Sequence, residues 1–246
     1  MWGVDRGHRR GNGLELGELK ERWRAYPQEQ YRCDRNLNLY QGPEQDGLVT
    51  QAAAGRQLVI TDIDADGLQV VLCADAYPGW LPLSAAAALA ISPPYQAPQL
   101  DREAIVRAIP GAIAFTQAAM AVPNTYLWGG TVAPNYDCSG LVQAAFSSVG
   151  VPLPRDSYQQ EAFTRPVSVN DLQPGDLLFF GTSERTTHVA LHLSAGRYIH
   201  SSGKDQGRNG IGIDSLVDRF HPVSQTYYEQ LRGCGRIVEG YGGLHG

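Results

Sequence analysis

The chain has 246 residues, a formal net charge of -5, 43% hydrophobic and 18% charged residues. That balance is ordinary for a globular protein and excludes a disordered chain. The acidic sign and the lack of a long Lys/Arg run argue against nucleic acid or an anionic membrane as a main partner, and the length suits two small domains.

Residues 1–30 are polar and punctuated by Gly. A helix over 14–23 is weakened by Gly17, so the segment reads as a tail. No apolar stretch there has the length of a signal peptide, and the longest weakly polar run, 83–91, is too short to span a bilayer. The expectation is a cytoplasmic protein with no membrane partner. Over 31–92 strand-length apolar runs recur with turns between them. Leu37, Leu39 and Tyr40 lead to Gly42-Pro43, then come 56–61 (RQLVIT), 68–73 (LQVVLC), Pro78-Gly79, Trp80 and Leu81. This pattern predicts a small all-β barrel.

Pro93, Pro94 and Pro98 mark a linker over 93–104. Residues 105–240 form the second expected domain. Ile105, Ile109, Ile113 and Ala114 carry a helical spacing, with Pro110 as a kink or boundary. A second helix runs over 138–149, with Leu141, Val142, Ala145 and Phe146 on its apolar face and Gly150 at its end. Three strand signals follow: 176–180 (DLLFF), 188–193 (HVALHL) and 198–200 (YIH). Helices first and antiparallel strands after them predict an α+β domain.

Four cysteines occur, without a CxxC pair or clustered His, so the sequence implies no metal and no cofactor. Cys33, Cys73 and Cys234 lie among apolar residues and read as buried thiols. Cys138 differs. It opens a helix that Asn135 or Asp137 can cap, where unsatisfied N–H groups favour a thiolate and can hold an oxyanion. His188, at the start of a strand, is the expected base. His188, Ala190 and His192 share a face by the period of two. A five-residue loop over 193–197 places His200 opposite Ala190 and diagonal to His188, whereas an even loop sends it to the other face. His192 is the rival base, about 13 Å further along at ~3.3 Å per residue. His8, His221 and His245 read as surface residues. Tyr126, before Gly129-Gly130, reads equally as a core anchor or as a hydroxyl near the oxyanion. Arg155, Asp156 and Ser157 follow a proline turn and read as a solvated loop or as a site for a charged substrate end.

Together, 126–130 (YLWGG), 137–142 (DCSGLV), 174–180 (PGDLLFF), 188–190 (HVA) and 199–200 (IH) resemble the NlpC family of papain-like cell-wall cysteine peptidases, over about 101–239. The intervals from Cys138 to His188 and from His188 to His200 fit the same pattern. Upstream, 31–40, 48–58 and 77–81 are similar to the bacterial SH3-like barrel that precedes this domain in cyanobacterial members. Those members resemble γ-D-glutamyl-L-diamino acid endopeptidases.

The resemblance implies a Cys138–His188–His200 triad. It implies cleavage between D-Glu and meso-diaminopimelate in murein peptides that carry a free N-terminal L-Ala, as in peptidoglycan recycling. It also implies an aromatic and an acidic group from the barrel for the substrate's amino end, for which Tyr77 and Asp75 are the expected residues. Asp137, Ser139, Arg155, Asp156 and Ser157 match positions that line the substrate groove. The expected partner is therefore a small murein peptide. The alternatives are a papain-like amidase or acyltransferase, and a murein-binding protein without catalysis.

Overall fold

The computed structural model describes residues 13–218 and 220–244. The expected tail is the first difference from the sequence reading. Within it, Leu16–Ala25 forms α1, and Leu14 and Leu19 are buried in the apolar core of the first domain. Burying Leu19 contributes roughly 1.5–3 kcal/mol, which exceeds the roughly 1 kcal/mol that Gly17 costs a helix. Trp23 donates its indole N–H to the Ile60 carbonyl at 3.1 Å, and the Arg22 guanidinium pairs with Glu29, so polar contacts also hold α1. Residues 1–12, part of the same expected tail, lie outside the described residues, as do His8 and His245.

Seven antiparallel strands follow: β1 (Gln30–Cys33), β2 (Leu37–Tyr40), β3 (Leu48–Ala52), β4 (Gln57–Ile63), β5 (Gly67–Leu72), β6 (Tyr77–Pro82) and β7 (Leu89–Ser92), in the order β3-β2-β6-β5-β4-β1-β7. Their alternation selects the core. In β5, Leu68, Val70 and Leu72 are fully buried while Gln69 and Val71 are only half-buried. The Asp64 carboxylate accepts from the Asp66 and Gly67 N–H groups and closes the β4–β5 turn.

The second domain begins with α2 (Arg102–Met120), capped by Asp101, whose carboxylate accepts from the Ala104 N–H at 2.7 Å. Pro110 neither ends nor bounds this helix. Its ring and the Val106 residue four positions before it are exposed, so water can take the carbonyl that proline leaves without a donor. A short ribbon, β8 (Thr131–Val132) and β9 (Asn135–Tyr136), leads to α3 (Cys138–Ser147), then α4 (Ser157–Phe163) and β10 (Arg165–Val167). The main sheet is completed by β11 (Leu177–Gly181), β12 (Thr186–Ser194), β13 (Arg197–Ser202), β14 (Gly210–Ser215), α5 (Pro222–Glu229) and β15 (Leu231–Arg236). Its antiparallel order is β10-β15-β11-β12-β13-β14. Leu141, Val142, Ala145 and Phe146 of α3 form one core with Phe179, Val189, Leu191 and Ile199. On the other side Phe180, Ala190 and Tyr198 pack with Val223 and Tyr227 of α5.

The β12–β13 hairpin decides where His200 points. The turn is two residues, Ala195 and Gly196, both at positive φ. Paired without interruption from Ser194↔Arg197, that turn would set His200 opposite Leu191, on the wrong face. A bulge between His192 and Ser194 restores the pairs His192↔Tyr198 and Leu191↔Ile199. Ala190 thus stands opposite His200, which is the register expected for a five-residue loop, reached by a tight turn plus one extra residue.

The two domains are joined by specific polar contacts. Gln51 of β3 accepts from the Thr131 and Val132 N–H groups through its side chain and from the Thr131 hydroxyl through its carbonyl. No helix among the described residues is long and apolar enough to cross a membrane.

Candidate active site

Cys138 sits at the first position of α3. The Asp137 side chain caps the helix, accepting from the Gly140 N–H at 2.6 Å. The thiol lies against two backbone N–H groups, those of Ser139 and of Val189, the residue after His188. Both hydrogen bonds favour the thiolate, as expected at a helix start. Burial outweighs them, and with the Asp137 charge nearby the thiol is pushed up to about 12. Burial thus opposes the thiolate that the helix terminus favours.

His188 is buried, with Phe180 as its cross-strand neighbour and the Tyr227 ring centroid 4.4 Å from its own. Its Nε2 is 2.7 Å from Nδ1 of His200. His200, fully buried, places its Nε2 2.8 Å from Oδ2 of Asp214. Burial pushes His188 well below the ordinary imidazole range, with the neighbouring His200 adding to the effect, and burial lowers His200 as well. Against the opposing effect of burial, Asp214 is held down at about 2 by its hydrogen bonds from His200 and Ser224 and by the Arg208 cation. Burial that disfavours the charged forms of both the thiol and the imidazoles suits a general-base step, in which the proton leaves sulfur as sulfur attacks. His192, the rival, is buried elsewhere with its Nδ1 2.9 Å from the Gln173 carbonyl.

Asp214 was not singled out from sequence. The signal lay in 210–215 (GIGIDS), where Gly212 and Asp214 alternate with Ile211 and Ile213. Once Gly212 pairs with His200, period two puts Asp214 on the histidine face.

The cleft beside Cys138 encloses about 570 Å³ and is lined by residues that include Tyr77, Tyr126, Trp128, Asp156 and Arg185. Three of the expected groove residues form a buried network. The Asp137 carboxylate also accepts from the Gly129 N–H at 2.9 Å and from the Arg155 guanidinium at 2.6 and 3.2 Å. The Ser139 hydroxyl donates to Asp137 and accepts from Arg155, whose Nε donates to Thr50 of the barrel. Arg155 is 1% exposed; with Asp137 and Ser139 it lines the cleft, and its bonds fasten the nucleophile helix to β3. Ser157 is buried at the first turn of α4 and lines the cleft.

Asp156 is the half-buried acid of the cleft. The Tyr77 hydroxyl donates toward both its oxygens at 3.4 Å. Burial raises its pKa above the usual carboxylate range, opposed by Arg155. Asp75 does not line the cleft and so is not the acid beside Tyr77. It is 4% exposed, pairs with Arg56 at 2.8 Å and accepts from the Gln143 side chain at 2.8 Å. One position separates Ala76 from each of them, and its positive φ of 56° turns the chain between them. Arg56 and Gln143 border a second hollow of about 630 Å³ that contains none of Cys138, His188 or Asp156. Tyr126 lines the cleft, near enough to Cys138 for the sulfur's charge to help burial raise its hydroxyl. Cys33, Cys73 and Cys234 are buried free thiols, pushed up by burial to about 12, 11 and 11. Among the described residues no group of three or more His, Cys, Asp or Glu side chains is arranged to hold a metal ion.

Comparison with known proteins agrees with this geometry. The NlpC/P60 family profile matches residues 123–231, and that of the bacterial dipeptidyl-peptidase Sh3 domain matches 39–85, within the seven-stranded sheet, which is an SH3-like domain. A Corynebacterium glutamicum (strain R) protein named probable endopeptidase is 33% identical over 164 residues, covering 65% of this chain and 76% of that protein. The Bacillus subtilis (strain 168) bifunctional muramidase/DL-endopeptidase CwlT is 33% identical over 128 residues, covering 48% of this chain and 38% of that protein. The chain spans only 21% of the Listeria seeligeri probable endopeptidase p60, to which it is 34% identical over 121 residues. A crystal structure of an NlpC/P60 family protein from Bacillus cereus is similar with a TM-score of 0.48 and 21% identity, covering 89% of this chain and 66% of that one. Cys138 at its helix start, the histidine row on the adjoining sheet and the match over three quarters of the Corynebacterium relative converge on one assignment: the chain belongs to the NlpC/P60 family.

Proposed function

We propose that the protein is a cysteine endopeptidase that cleaves the γ-D-glutamyl–meso-diaminopimelate bond of murein peptides with a free N-terminal L-Ala. The observation that carries this reading is a thiol held by two backbone N–H groups next to a His188–His200–Asp214 row, at the floor of a cleft whose wall pairs Tyr77 with Asp156.

In this mechanism His188 takes the thiol proton as Cys138 sulfur attacks the γ-carbonyl carbon of D-Glu. Backbone N–H groups at the start of α3 hold the oxyanion. His188 then gives the proton to the departing diaminopimelate amine, which leaves a thioester. Water, deprotonated by His188, hydrolyses the thioester, releases L-Ala-D-Glu and restores the thiol. Asp156 meets the ammonium of L-Ala, and Tyr77 from the barrel closes the cleft behind it. A free amine is absent where L-Ala is joined to muramic acid, so the substrate is a released peptide and the role is recycling, in the cytoplasm.

The test is mass spectrometry of products from L-Ala-γ-D-Glu-meso-diaminopimelate with wild type and with Cys138→Ala. Release of L-Ala-D-Glu by wild type alone supports the reading. A product joined to an added amine acceptor in preference to water points to an acyltransferase. No product from the peptide contradicts the assignment of substrate.

A further inference from the structure

The histidine row does not end at His200. Asp214 is 4% exposed and accepts three hydrogen bonds. Its Oδ2 is 2.8 Å from His200 Nε2 and 2.6 Å from Nη2 of Arg208. Its Oδ1 accepts from the Ser224 hydroxyl at 2.9 Å and lies 3.7 Å from Nδ1 of the exposed His221. Ser224 is itself fixed by the Ser215 N–H. The sequence leaves room for Arg208 at the place where it is needed. Gly212 stands directly across from His200, and a Cβ there would collide with the Arg208 guanidinium.

The donors and acceptors in this chain have a fixed direction. A guanidinium only donates, so the oxygen it shares with His200 is an acceptor, and His200 Nε2 must carry a proton. A neutral His200 then offers its bare Nδ1 as an acceptor. His188 Nε2 therefore donates, and Nδ1 of His188 is left without a proton. A doubly protonated His200 would invert this order, because its Nδ1–H would force the proton of His188 onto Nδ1. Burial opposes that charge, and so does the Arg208 cation beside the same carboxylate. The remaining groups packed on the pair add no charge to reverse it: Tyr198 and Tyr227 are phenols, and the Tyr227 hydroxyl is engaged with Ser202.

We propose that Asp214, clamped by Arg208 over Gly212 and by Ser224, is a positioning residue that sets the tautomers of both histidines and keeps Nδ1 of His188 bare for the Cys138 proton. This deepens the proposed function and rests on His188 being the base.

The test combines tautomer and turnover. Histidine ring ¹⁵N NMR is recorded on Cys138→Ala protein, where no thiolate–imidazolium pair can form. The expected spectrum has both His188 and His200 protonated at Nε2 and bare at Nδ1. Adding Asp214→Ala should replace it with mixed tautomers. In otherwise native enzyme, Asp214→Ala should lower kcat on L-Ala-γ-D-Glu-meso-diaminopimelate roughly 10- to 100-fold, with KM within about twofold. Asp214→Asn should restore most of that loss, because an amide oxygen at the Oδ2 position still accepts from Arg208 and His200. Gly212→Ala, which displaces Arg208, should give a smaller loss of kcat.

A proton on Nδ1 of His188 in Cys138→Ala protein, or a folded Asp214→Ala enzyme with wild-type kcat, would overturn the proposal. The NMR arm needs no turnover, so it decides the tautomer even where wild type fails to cleave the peptide, which would sink the substrate reading instead.

Discussion

The two walls of the cleft are built on opposite terms. On the reaction side, nearly every polar atom is buried and engaged: Asp137 accepts from Gly129, Gly140, Ser139 and Arg155, and His188, His200 and Asp214 occupy one another. On the other side, Asp156 is half-buried: its carboxylate caps α4 by accepting from the Gln159 N–H, is bonded by Tyr158 and meets Tyr77 at a long 3.4 Å, with Tyr126 and Arg185 bordering the same space. A wall whose side chains are engaged with one another holds geometry. A half-buried carboxylate that borders open space, held by one long bond among its contacts, can still be approached by a charged group. On the proposed reading, two adjacent residues, Arg155 and Asp156, divide between the two tasks.

The largest effect should come from the saturated side. Cys138→Ala should lower kcat by about a thousandfold or more in steady-state assays, since the nucleophile cannot be replaced by its neighbours. Residual activity within tenfold of wild type would place the chemistry elsewhere. Arg155→Ala should cost about 3–5 kcal/mol, read from the denaturant midpoint, because it leaves the buried Asp137 carboxylate without its cation. A loss below 1 kcal/mol would mean that the network is not what fastens α3 to the barrel.

The reaction side was also the more legible one. Cys138 at a helix start and His188 on a strand follow from local spacing, whereas the face of His200 turned on the length of a loop that spacing left open. Asp214 was hidden because its strand is named only by Gly and Ile alternation. The bulge near Leu193 was hidden because a two-residue turn and a five-residue loop give the same expected register once an extra residue is added. The recognition side depends on how two domains meet. The resemblance implied an acid from the barrel near Tyr77, for which Asp75 was the expected residue, yet Ala76 at positive φ turns the chain between them and the acid bonded to Tyr77 is Asp156, 79 positions away. The α1 helix was missed for a similar reason, since its stability comes from burying Leu19 rather than from its own propensity.

A pH series sharpens the comparison further. His188 and His200 are held below the ordinary imidazole range, so under about pH 6.5 the folded chain binds fewer protons than the unfolded one. Their contribution to stability is complete above that pH and is lost as the pH falls below it. Asp214, at about 2 when folded, adds a second loss as the pH drops from about 4 toward 2. The melting temperature should therefore begin to fall near pH 6.5 in wild type and less steeply in His200→Gln. Equal slopes would contradict the burial of neutral histidines. The smallest effect is expected from Tyr77→Phe, which removes only a long hydrogen bond to Asp156 and should raise KM about two- to threefold with kcat unchanged.

The division of labour between the two walls is tested most directly by a cycle of kcat/KM values for L-Ala-γ-D-Glu-meso-diaminopimelate and its N-acetylated form, with wild type and Asp156→Asn. The account predicts that acetylation lowers kcat/KM by about tenfold or more in wild type, the worth of a charge-assisted hydrogen bond, and changes it little in Asp156→Asn. An equal penalty for acetylation in both enzymes would show that the amine is read by another group and that Asp156 is not the recognition acid.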